Sequence, residues 1–101
     1  MGEQLHRFIW QIPADHPALA GHFPGLPIVP GVLILDQALS FAQRLLPESR
    51  WQIVQGKFLR PVGPGAQLQF ILRPGMARDV AFTVGHGEQV VASGKLQASA
   101  A

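Results

Sequence analysis

A chain of 101 residues has room for one domain. At 48% hydrophobic and 14% charged, it carries more apolar surface than so small a fold buries alone, so a homodimer or higher oligomer is expected. The absence of cysteine excludes a disulfide framework, a thiolate metal site and a cysteine nucleophile, and the eight Lys and Arg (net charge +2) form no run or stripe, which argues against nucleic acid while leaving an acidic protein partner open.

From the N-terminus, Met1 to Arg7 holds no charged region followed by an apolar run, so no signal peptide is expected and the cytoplasm is the expected compartment. Leu5 to Ile12 alternates, with Phe8, Trp10 and Ile12 on one face. That period of two predicts a strand, ended by Pro13. Ala14 to Pro30 reads as a long loop, of the length usually kept for function. Pro17 to Leu35 is nearly uncharged but broken by four prolines, so it is not a membrane helix.

Pro30-Gly31 opens a helix over Val32 to Leu46, stopped before Pro47. At 100° per residue, Ile34, Leu35, Ala38, Phe41, Ala42, Leu45 and Leu46 form a wide buried face. Gln37, Asp36, Ser40, Gln43 and Arg44 form a narrower polar stripe, with Val32 and Leu33 beside its N-terminal half. Four strands are predicted next: Trp51 to Arg60, Gln67 to Arg73, Val80 to Val84 and Gln89 to Ala98. Gly85-His86-Gly87 is expected to turn the last hairpin, and Ala98 to Ala101 to fray. One helix this apolar has to be wrapped, and a curved antiparallel sheet can wrap it in an α+β arrangement.

The chemistry concentrates in Gly21 to Asp36. His22 sits in a Pro/Gly-stiffened loop, and Pro30-Gly31 marks a helix N-terminus with free N–H groups and the positive end of the dipole. Asp36 lies about a turn and a half further along, among Val32, Leu33 and Leu39. His22-Phe23-Pro24-Gly25-Leu26-Pro27-Ile28-Val29-Pro30-Gly31, with an acid fourteen positions after the histidine, resembles the 3-hydroxyacyl-[acyl-carrier-protein] dehydratases of fatty-acid synthesis. Lys57-Phe58-Leu59-Arg60-Pro61-Val62-Gly63-Pro64-Gly65-Ala66-Gln67-Leu68 looks like that family's Lys-Phe-x-x-Pro-Val-x-Pro-Gly-Asp-x-Leu stretch.

The resemblance implies a hotdog fold, one antiparallel sheet around one central helix, over a single domain spanning 1–101. It further implies at least a homodimer, with histidine and acid supplied by different subunits, acyl carrier protein as the partner that delivers the substrate, and no cofactor or metal. Catalytic roles fall on His22, Gly31 and Asp36, and acyl-chain contacts on Phe23, Pro30, Val32, Leu33, Ser40 and Phe58. The residue types suit elimination of water: a neutral imidazole serves as base near neutral pH. A backbone N–H at a helix start can hold a developing enolate oxygen, and an apolar surround favours the protonated carboxyl that assists a poor leaving group.

The sequence departs from the family at three places. The acid is Asp36, used in the branch that also isomerises its product; Ser40 stands where Gln is common; Ala66 replaces an acidic residue. The chain is also short, like compact members of specialised pathways of the aryl-polyene type. A hotdog thioesterase, or a non-catalytic subunit paired with an active homologue, is the alternative. His6, His16 and His86 lack ligand spacing and read as structural or surface groups.

Overall fold

A computed structural model of the chain describes residues 4–13 and 29–100. The elements run β1 (His6–Gln11), α1 (Gly31–Leu45), β2 (Ser49–Phe58), β3 (Gln67–Pro74), β4 (Asp79–His86) and β5 (Gln89–Ala100). The five strands form one antiparallel sheet in the order β1-β3-β4-β5-β2. Among the described residues this is the predicted single α-helix against a single sheet, with one 3-10 turn at Met76–Arg78 between β3 and β4. β1 and β2 are therefore the two edges of the sheet.

Alternation decides which face each strand gives to the core. Leu68, Phe70 and Leu72 of β3, Val80, Phe82 and Val84 of β4, and Ala92 and Leu96 of β5 are buried. They meet Ile34, Ala38, Phe41 and Ala42 of α1 in one cluster. Phe41 anchors it: its ring stacks on Phe8 at 4.4 Å between centroids and meets Phe70 edge-on at 5.2 Å. Full burial of such a ring is worth roughly 1.5–3 kcal/mol.

The helix runs where periodicity places it, but Leu46 is 40% exposed rather than part of the buried face. It is the C-cap residue, with φ −136°, already off the helical path, and its N–H still donates to Ala42 O. Gln43 Nε2 closes the exit by donating to Pro47 O, and lies 3.4 Å from Ser49 O. The expected fraying at the C-terminus is also corrected. β5 continues to Ala100 because Ala98, Ser99 and Ala100 pair with Trp51, Arg50 and Ser49 of β2. The last hairpin turns one residue later than expected, at Gly87-Glu88, with Gly87 at φ +63°. No helix among the described residues is long and apolar enough to cross a membrane.

Candidate active site

The start of α1 is held from both sides. Pro30, with φ −59° and ψ 138°, sets the entry without a side-chain cap, and Leu33 N donates to Pro30 O at 3.0 Å. Just before it, Val29 N donates to Val62 O at 2.8 Å, tying the helix entry to the segment that follows β2. That segment is held in turn by Val91 O, which accepts from Leu59 N at 2.9 Å and Arg60 N at 3.3 Å.

Between helix entry and segment lies a concavity of about 460 Å³ lined by Val29, Gly31, Val32, Ile34, Phe58, Leu59, Arg60, Pro61 and Val62. Its size is that of a small-molecule pocket, and Arg60 is the one charged residue among those named. Phe58 packs against Gly31 so closely that a Cβ on Gly31 would lie 2.6–2.9 Å from three ring atoms. The ring takes the space that a side chain at this position would fill. Phe58 and Val32 remain 51% and 59% exposed, so this apolar mouth is open in the single chain.

Asp36 faces elsewhere. Five residues on from Gly31 along the helix, it is turned about 140° away. It is exposed and lines a separate groove of about 610 Å³ with Leu39, Ser40, Gln43, Arg44 and Pro47. Arg44 lies over the Phe41 ring, its Cζ 5.2 Å from the centroid. The apolar surround expected for the acid is thus only partial within one chain: Leu39 and Pro47 line the groove, whereas Val32 lines the other cavity.

The structure therefore brings together Gly31, Val32 and Phe58 of the sequence-derived set in one cavity, and Asp36 and Ser40 in another. Leu33 packs against the core cluster, and Pro30 is half-buried at the helix cap. His22 and Phe23 lie outside the described residues. Leu59, Pro61 and Val62 as cavity wall were not anticipated. The signal for them was the second motif, whose Pro-Val step carries the chain across the helix entry.

Several comparisons bear on this arrangement. The 3-hydroxyacyl-[acyl-carrier-protein] dehydratase FabZ of Haemophilus influenzae is 39% identical over 79 residues, covering 67% of this chain and 52% of that protein. The chain thus spans about half the length of the curated relatives it matches. The solved dehydratase heterocomplex ApeI:P from Xenorhabdus doucetiae aligns over 97% of this chain and 98% of that one, with a TM-score of 0.79 and 25% identity. The fluoroacetyl-CoA-specific thioesterase FlK, at 12% identity and a TM-score of 0.61, shares the fold alone. A family model described as ApeI-like, ApeI dehydratase, matches residues 2–95. With nearly its whole length matched, and with the two motifs in the order and spacing found in dehydratases, the chain belongs to the ApeI-like dehydratase family.

Proposed function

We propose that the chain removes water from a 3-hydroxyacyl thioester carried on acyl carrier protein, giving the trans-2-enoyl thioester, within an assembly of two protomers. The supporting observation is the split of the helix: Gly31 opens onto an apolar cavity, whereas Asp36 serves a different groove. An acid turned away from its own chain's cavity suits a site completed by a second protomer. The edge strand β2 favours the same reading. Ile53, Val54 and Phe58, and Leu59 just beyond it, are 38–56% exposed, an apolar edge of the kind proteins cover.

In this site His22, as neutral imidazole, takes the α-proton. The Gly31 N–H donates to the enolate oxygen, and such an oriented donor is worth roughly 3–4 kcal/mol. Asp36 of a second protomer gives its proton to the β-hydroxyl. The C–H and C–O bonds break, the C=C bond forms and water leaves; the proton on His22 returns to Asp36 through solvent before the next turnover. Val32, Phe58 and the neighbouring wall take the acyl chain; Ser40 lies beside Asp36 in the other groove, and Phe23, Pro30 and Leu33 are the further contacts the family resemblance implies.

The test is to mix the protein with 3-hydroxyacyl and saturated acyl thioesters on carrier protein. Absorbance of the conjugated enoyl thioester is expected, without release of free thiol. His22→Ala and Asp36→Asn should each lower turnover by about 10²-fold or more, with the unfolding midpoint unchanged. Free thiol in place of the enoyl product would make the chain a thioesterase. A mixed pairing with a homologous subunit is the second reading, favoured by the two-chain ApeI:P neighbour. In that case turnover appears only after the second chain is added.

A further inference from the structure

Gly56 stands inside β2, where a residue without a side chain weakens the strand. Its backbone does not call for glycine: among the described residues the left-handed glycines are Gly65 and Gly87. Crowding does not call for it either. Among the described residues a Cβ at Gly56 would meet only Leu35, with Cδ2 at 3.4 Å and Cδ1 at 3.8 Å, an ordinary contact with a flexible side chain. Gly94, its partner across the ladder, is the opposite case, with main chain at 2.2 Å. Nor does Gly56 belong to the irregularity in β2, which falls between Ile53 and Gln55. A glycine inside a strand that the fold itself does not need marks a place where something else comes close.

The packing of α1 on β2 indicates what that is. Phe58 lies against Gly31, and the next inward position of β2, Gly56, lies against Leu35, four residues further along the helix. Two strand residues advance about 6.6 Å and four helical residues about 6 Å, so the two elements stay in step. The space that a side chain at Gly56 would fill is therefore the next step of the crevice that opens at Gly31 in the cavity. The inner side of that cavity is closed, because Val29, Ile34 and Val62 are buried in the core cluster. Beyond Gly56 the apolar surface continues on exposed Ile53 and on Leu39, which lines the groove holding Asp36. The notch at Gly56 leads from one cavity toward the other.

We propose that Gly56 sets which acyl chains the protein accepts: the acyl chain leaves the cavity over Leu35, through the space that glycine keeps free. This rests on the dehydration reading. From a carbonyl held at the Gly31 N–H the notch is about 6 Å away, the reach of about five carbon–carbon bonds. Short 3-hydroxyacyl chains end before it, and longer ones pass through it.

The experiment compares kcat/KM for 3-hydroxybutyryl and 3-hydroxydecanoyl groups on carrier protein in the unaltered protein, Gly56→Ala and Gly56→Val. Valine suits a strand, so the thermal midpoint of Gly56→Val is expected to be no lower than that of the unaltered protein. Its selectivity for the longer substrate over the shorter is expected to fall at least about tenfold, and that of Gly56→Ala by a smaller factor. Should Gly56→Val fail to fold, Leu35→Phe fills the notch from the helix side and is expected to give the same loss of selectivity. Damage to the fold would lower both substrates alike, and so would a notch filled by the carrier's arm or by a second protomer. An unchanged ratio of the two therefore overturns the inference, as does an unaltered protein that converts the shorter substrate alone. Both outcomes leave the dehydration reading standing. Enoyl product from neither substrate sinks that reading, and this one with it.

Discussion

Gly31 serves two ends: it offers a backbone N–H at the helix start, and it accepts a phenyl ring where a side chain would be. An added Cβ would meet Phe58 Cζ at 2.6 Å, but Phe58 is half-exposed and can swing outward. Gly31→Ala is therefore expected to cost only about 1–2 kcal/mol, and Phe58→Leu to remove most of that penalty. Chemical denaturation of the two single variants and the double variant checks this. Additive losses would mean the ring does not define the contact. His22, Gly31 and Asp36 stood out in the sequence by residue type and spacing. That Gly31 and Asp36 line different cavities did not, since the walls of each cavity exist only once the sheet has packed on one face of the helix.

At the scale of elements, strand pairing explains what periodicity could not. β2 meets β5 with a register shift between Ile53 and Gln55, and at that point Gly94 sits under the β2 backbone. A Cβ there would lie 2.2 Å from Gln55 O and 2.6 Å from Phe82 Cζ. The nearest obstacle is main chain, which cannot swing aside. Gly94→Ala should cost roughly 3 kcal/mol, and Phe82→Leu should not restore it, in contrast to the Gly31 pair. A thermal midpoint within a degree of the unaltered protein would refute the close packing. The β3–β4 connection is another such case: Pro74-Gly75 marks a break in the strand, but the left-handed Ala77 and Arg78, at φ +56° and +64°, are unsignalled because neither is glycine or asparagine.

Across the whole molecule, the decisive feature is an apolar edge strand beside two separate cavities. Val54 and Leu59 are 52% and 56% exposed. Placing lysine at both is expected to weaken self-association at least about tenfold, since charged residues on an edge strand resist pairing. Sedimentation over a concentration series measures it. Turnover should fall in step with loss of the assembly, because in the proposed site the acid comes from a second protomer. Full turnover from a monomeric variant would contradict the two-protomer site.

The sequence by itself determined the order of the described elements, the central helix, the strand faces and the candidate residues of the site. Each of these follows from local rules: a period of two or 3.6, prolines that stop elements, and motif spacing along the chain. Tertiary structure alone decided that Phe58 covers Gly31 and that the segment after β2 walls the cavity at the helix entry. The physical reason is common to both. Each depends on register between segments far apart in sequence, and register is fixed only when the core packs.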